Sequence, residues 1–202
     1  MSKAPALLIQ FAKAPIAGRV KTRLMPSYSA EQACAVHTEL LLHTNHTLLS
    51  AELGPVELWV AGEAASPVFD RCLKAGVSDL RDQGRGTLGD RMALAVNDGL
   101  ARADKVVLVG SDCPYIDADY LQLALDALDS ATVVFGAAED GGYVLVGASQ
   151  LVDAVFEDVS WGTDRVLAQS LQRAESAGLT AITLPALSDI DRPEDLARWK
   201  AR

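Results

Sequence analysis

Acids and cations that follow apolar runs are the residues of this chain best placed to do chemistry. Asp112 comes directly after the most uniformly apolar run, in Lys105–Gly110 followed by Ser111-Asp112-Cys113-Pro114. Asp189 and Asp191 stand two apart in SDIDRPEDL. Near the other end, Leu7–Phe11 runs into a stretch holding Lys13, Pro15, Gly18, Arg19, Lys21 and Arg23, and no acid precedes Glu31. A strand that breaks into a glycine-containing basic loop is one way to hold an anion, usually phosphate. A carboxylate at the end of a buried strand is one way to hold a divalent cation, because Mg²⁺ takes one or two carboxylates plus substrate phosphates. Together they describe the handling of a nucleotide phosphate chain. Each residue also has a plainer reading: Asp112 as a turn or helix-capping Asp, Asp191 as the cap of a helix opening near Pro193, the loop as solvated surface.

Three other groups are candidates. Glu139-Asp140-Gly141-Gly142-Tyr143 reads as an Asp-Gly turn. It reads equally as a place where Gly141 and Gly142 let backbone approach an acceptor while Asp140 or Glu139 meets its polar groups. The stretch Gln83 to Arg91, with Gly84, Gly86 and Gly89, opens a helix whose amides could meet a base or ribose, or it is a connector. His37, His43 and His46 share one predicted helix, where packed or solvated rings are expected. No Walker A pattern, GxGxxG, GxSxG or CxxC occurs.

The elements that must position these residues alternate. Apolar runs at Leu7–Phe11, Val56–Val60, Val77–Leu80, Lys105–Gly110, Thr132–Gly136, Tyr143–Gly147 and Thr180–Leu184 read as strands. Helices are expected from a cap at Ser29, with Gln32 its capping-box partner, to Gly54, then over Pro67–Ala75, Leu88–Ala103, Asp117–Leu128, Thr163–Ala177 and Pro193–Lys200. The expected fold is α/β, a three-layer, mostly parallel twisted sheet with helices on both faces. The segment Phe135–Thr163 breaks the alternation, so an antiparallel strand is expected there. In such sheets ligands sit outside the carboxyl ends of the strands.

The chain has 202 residues, of which 50% are hydrophobic and 22% charged. That suits one domain over 1–202. No apolar stretch is long enough to span a membrane, and no signal-peptide pattern opens the chain, so a cytoplasmic setting is expected. A formal charge of −9 argues against a nucleic-acid partner. Cys34, Cys72 and Cys113 fit reduced thiols.

AKAPIAGRVKTRL, GTLGDRM, GSDCP, EDGGYVLVG and DIDRPEDL occur in this order. They resemble the motifs of a bacterial family often labelled glycosyltransferase or selenodomain-associated transferase, with the nucleotide-diphospho-sugar transferase (glycosyltransferase-A) fold. The resemblance runs from Leu7 to Trp199. More distantly the chain is similar to the guanylyltransferases of molybdenum cofactor and of 2-phospho-lactate. The resemblance implies that Gly18, Arg19 and Lys21 form a phosphate loop, and that Asp112 and Asp191 bind Mg²⁺ or Mn²⁺. Two departures stand out. Ala14, Pro15 and Ala17 replace expected loop glycines, and the glycosyltransferase Asp-x-Asp is reduced to Gly110-Ser111-Asp112.

The reading that follows is a Mg²⁺-dependent transferase acting on a nucleoside triphosphate or a nucleotide sugar and a small-molecule acceptor. Nucleotidyl transfer is favoured, with Lys21, Arg19, Asp112 and Asp140 catalytic. Lys13, Gly18, Arg23, Gly89, Gly141 and Gly142 then bind substrate, and Asp112 and Asp191 hold the metal. Glycosyl transfer, with Asp140 or Glu139 as base, is the close alternative, and a nucleotide-binding regulator without turnover is another.

Overall fold

The structure, a computed structural model, describes residues 3–63 and 65–201. Seven strands form one sheet: β1 (Ala4–Lys13), β2 (Val56–Ala61), β3 (Asp79–Asp82), β4 (Ala103–Gly110), β5 (Val133–Ala138), β6 (Tyr143–Ala148) and β7 (Ala181–Leu187). Their order is β3-β2-β1-β4-β6-β5-β7, parallel throughout except β6, which runs against both neighbours. Parallel neighbours need long crossovers, and helices supply them: α1 (Ala30–Ser50), α2 (Pro67–Ala75), α3 (Leu88–Leu100), α4 (Ala118–Ala127) and α5 (Val166–Ser176), with α6 (Pro193–Lys200) closing the chain. The expected α/β layering and the antiparallel strand in 135–163 are both present.

Each face of the sheet carries its own core. Leu8, Leu58, Val107 and Val109 point to α1, α2 and α4, meeting Leu41, Phe69 and Leu121. Leu7, Ile9, Val106 and Phe135 point the other way, to Met92 and Val96 of α3 and Ala174 of α5. Alternation along β1 and β4 therefore feeds two helical layers.

Helix boundaries follow local chemistry. Ser29 accepts from the Gln32 amide while the Gln32 side chain accepts from Ser29 N, the anticipated capping box. The helix ends at Ser50, before the expected stop at Gly54. Gly54 serves another purpose: a Cβ there would lie 2.5 Å from the Ala6 carbonyl oxygen, so glycine lets the chain pass close to β1. α3 ends at Leu100, because Ala103 already belongs to β4.

Candidate active site

Register fixes the floor of the site. Phe11 lies beside Gly110 in the parallel β1–β4 pair, so Lys13 and Asp112 leave the sheet from neighbouring strands at the same end. Ser111 is buried and donates to the Phe11 carbonyl at 2.8 Å. The fully buried Gln10 donates to Ser111 Oγ at 2.9 Å and to the Leu41 carbonyl at 2.9 Å, and accepts from Asn45 at 3.1 Å. Gln10, which interrupts the first apolar run, thus pins the turn that carries Asp112.

The basic loop is pinned as well. Leu24, in a 3-10 turn over Thr22–Leu24, is fully buried in a small cluster with Leu40, Ile190 and Leu196. Lys21, the residue before that turn, holds a left-handed backbone, φ 48° and ψ 40°. A non-glycine residue rarely adopts this conformation and persists there only when its surroundings over-determine it. Here they do: the Lys21 side chain is 4% exposed, its Nζ is 2.8 Å from Asp112 Oδ1, and it also donates to the Ile190 carbonyl. Arg23 pairs with Asp191.

The segment after β7 closes the arrangement. Two strands, β6 and β5, separate β7 from β4, yet Ile190 N donates to the Asp112 carbonyl at 2.8 Å. Glu139 N donates to the Leu187 carbonyl at 3.1 Å, and the Ser188 hydroxyl donates to the Glu139 carboxylate. The ends of β1, β4, β5 and β7 therefore converge.

Two adjoining cavities open there. The first, about 530 Å³, is lined by Lys13, Arg19, Lys21 and Arg23, by their partners Asp112 and Asp191, and by Gln83, His37 and Arg91. The second, about 300 Å³, holds Asp140, Gly142 and Asp189 among largely apolar walls, and shares Phe11, Arg23, Leu88 and Gly110 with the first. The i, i+2 spacing of Asp189 and Asp191 would place both on one side of an extended chain; instead each lines a different cavity. Asp189 is half-buried, and its carboxyl is pushed up to about 6 by burial first and then by Asp140 and Asp191, with Lys21 opposing. Burial and neighbouring like charges both disfavour a second anion.

Three of the glycines singled out in the sequence do other work. Gly18 turns the loop at φ +78° without lining either cavity. Gly89 packs α3 tightly: a Cβ would sit 2.6 Å from the Phe156 carbonyl and 2.9 Å from the Trp161 ring. Gly141, at φ +89°, lets the turn pass against Asp164, whose carbonyl oxygen would be 2.2 Å from an added Cβ. The fourth expected contact, Gly142, does face the second cavity, and its amide donates to Asp140 Oδ1 at 2.9 Å.

His37, expected only as a packed or solvated ring, and Arg91, the last residue of the glycine-rich stretch, both line the first cavity. His37 is 4% exposed, with Nε2 3.0 Å from the Lys13 carbonyl, and burial holds its ring below the usual pKa. On an amphipathic helix it gave no signal apart from its neighbours. His43 reaches the Pro114 carbonyl at 3.1 Å and packs edge-on to Trp199, with ring centroids 6.0 Å apart, so the histidines share no ligand.

The sheet order and its helical crossovers are those of the nucleotide-diphospho-sugar transferase fold. The chain belongs to the family described as an uncharacterized protein conserved in bacteria (DUF2064), whose profile matches residues 44–163. It is similar to a Desulfovibrio desulfuricans G20 protein assigned to the nucleotide-diphospho-sugar transferases, with 28% identity, a TM-score of 0.85, and coverage of 96% of this chain and 85% of that one. Two further structures share the fold. One is a CMP:2-keto-3-deoxy-manno-octonic acid synthetase complexed with CTP, at 13% identity, TM-score 0.59 and 98% of each chain. The other is Rv0371c of Mycobacterium tuberculosis H37Rv in complex with manganese, at 18% identity, TM-score 0.58 and the whole of both chains. No curated protein matches the chain. No helix among the described residues is long and apolar enough to cross a membrane.

Proposed function

We propose that the chain, as one domain over residues 1–202, is a magnesium-dependent nucleotidyltransferase that uses a nucleoside triphosphate and a small acceptor and releases pyrophosphate. The observation that carries this reading is the set of cations Lys13, Arg19, Lys21, Arg23 and Arg91 lining one cavity together with Asp112 and Asp191. A phosphate chain with its metal needs both signs of charge at one strand end.

The donor set suits such a metal. Among the described residues no three His, Cys, Asp or Glu side chains gather into a protein-only cage. Magnesium does not need one, since it is commonly held by one or two carboxylates and substrate phosphates. Asp112 is 51% exposed and Asp191 33%, so both can turn towards a ligand. Asp112 and Asp191 would hold the ion, and when bound it would supply positive charge beside the α-phosphate. The manganese complex of Rv0371c supports a divalent ion in this fold.

In the reaction an acceptor oxygen attacks the α-phosphorus. A new P–O bond forms, and the bond from the α-phosphorus to the oxygen bridging to the β-phosphate breaks. The electron pair departs with pyrophosphate. Lys21 and Arg23 are held in place by Asp112 and Asp191 until phosphate replaces those partners. Together with Lys13 and Arg19 they then stabilise the departing pyrophosphate. Asp140, at the mouth of the second cavity, orients the acceptor and takes its proton where that acceptor is a hydroxyl.

Sugar transfer from a nucleotide sugar is the second reading, favoured by the likeness to the Desulfovibrio protein. A thermal-shift panel of nucleoside triphosphates and nucleotide sugars, with and without Mg²⁺, separates the two. Ligands that bind only the folded state raise stability by RT ln(1 + [L]/Kd). Mg²⁺-dependent stabilisation by a triphosphate supports nucleotidyl transfer, and stabilisation by nucleotide sugars alone rejects it.

A further inference from the structure

The second cavity limits what the acceptor can be. Its inner wall is made of Met92, Leu108, Val146, Val166 and the rings of Tyr143 and Trp161. The two rings meet edge to face with centroids 6.2 Å apart, which fixes a flat aromatic corner. Its charged groups are Arg23, Asp140 and Asp189; Arg23 is shared with the basic cavity, and the two acids come from the strand-end turns at 139–142 and 188–191. At about 300 Å³ it lies at the small end of ligand pockets, with room for about one ring or a short branched chain.

Gly110 stands where the two cavities meet. A Cβ built there meets nothing within 4 Å, so packing does not demand glycine at this position. Its lack of a side chain leaves open space along the border that the two cavities share. A molecule in the apolar chamber can therefore present one end to the phosphate-binding cavity.

A polyhydroxylated body is poorly suited to this wall. Each hydroxyl pressed against Met92, Leu108, Val146 or Val166 gives up water without gaining a partner, and such groups are costly to bury. An apolar body instead gains from leaving water. Resting on the nucleotidyl-transfer reading, we propose that the acceptor carries an apolar body, aromatic or branched aliphatic, and a single oxygen-nucleophile end. The body occupies the chamber behind Gly110. The end lies beside Arg23 and Asp140.

Phenyl phosphate and glycerol phosphate share the same anionic end and differ only in body. Their binding to the full chain with Mg²⁺ is measured by calorimetry, alongside Val166→Phe, which narrows the chamber without touching a residue of the basic cavity. The expected result is phenyl phosphate bound at least about tenfold tighter than glycerol phosphate. Val166→Phe removes that preference and leaves pyrophosphate binding unchanged. Equal binding of the two probes, a preference for glycerol phosphate, or no binding of phenyl phosphate overturns the proposal, whether or not the variant folds. If Val166→Phe instead weakens nucleotide and pyrophosphate binding, the chamber belongs to the nucleotide and the proposal also fails. Loss of pyrophosphate binding to the wild type, with the phenyl preference intact, rejects the nucleotidyl reading and not the chamber's apolar preference.

Discussion

Replacing Asp189 by asparagine should make the protein more stable at pH 8, although it removes a charged residue from the site. The folded chain holds this carboxyl at about 6, against an ordinary 3.8, because the group is half-buried beside Asp140 and Asp191. With a raised folded pKa, its stability contribution is fully present below the unfolded value. That contribution is lost as pH rises through about 6. Two units correspond to about 3 kcal/mol at 1.36 kcal/mol per unit, and solvent reaching a half-buried group reduces that to about 2 kcal/mol. For a chain of this size about 2 kcal/mol is roughly 4–8 °C in melting temperature. Thermal melts of wild type and Asp189→Asn, at pH 8 and near pH 4 without divalent ions, check it. The variant should melt higher at pH 8, and the gap should close towards pH 4. Equal melting at both pH values, or a less stable variant at pH 8, would refute the electrostatic account of this site.

Asp112→Asn should abolish turnover. It also takes the counter-ion from Lys21, a side chain only 4% exposed, so a loss of about 1–2 kcal/mol by chemical denaturation should accompany it; wild-type turnover across a Mg²⁺ titration would remove Asp112 from the metal site. Gly141→Ala should cost about 2–4 kcal/mol, since the new Cβ meets the Asp164 carbonyl at 2.2 Å on a backbone at φ +89°; a variant with unchanged urea midpoint contradicts that packing. Gln10→Leu should cost about 1–3 kcal/mol, because Asn45, Ser111 and the Leu41 carbonyl each lose a buried partner; an unchanged midpoint would show that the network is not what holds the Asp112 turn.

The layers of the fold were legible because β1 and β4 carry mostly apolar runs, broken in β1 by Gln10, and are flanked by amphipathic helices. The ends of those strands are also where the sequence changes sign, so Lys13 to Arg23 and Asp112 stood out as partners across one edge. Strand order was less accessible. The break in alternation at 135–163 announces an antiparallel strand, but nothing local says that it inserts between β4 and β5, or that Ile190 returns to bond Asp112 from the far side of two strands. Asp189 and Asp191 were therefore grouped by spacing, while the irregular chain at 188–191 sends them to different cavities. Gly89 and Gly141 show the ambiguity of glycine. A residue needed for close packing against Trp161 or Asp164 looks in sequence like one needed for a ligand. His37, expected as a packed or solvated ring, is buried as such, and only the tertiary contact with the Lys13 carbonyl brings it to the cavity.

Pyrophosphate is the product that distinguishes nucleotidyl transfer from every other reading of this site, and calorimetry of pyrophosphate with Mg²⁺ tests it most directly. The wild type should bind it. Lys21→Ala should bind it about ten- to a hundred-fold more weakly, the loss expected for one charge-assisted contact to a buried anion, while nucleoside monophosphate binding is spared. A wild type that does not bind pyrophosphate, or a Lys21→Ala variant that binds it equally well, would contradict the assignment of the loop Lys13–Arg23 to the β- and γ-phosphates.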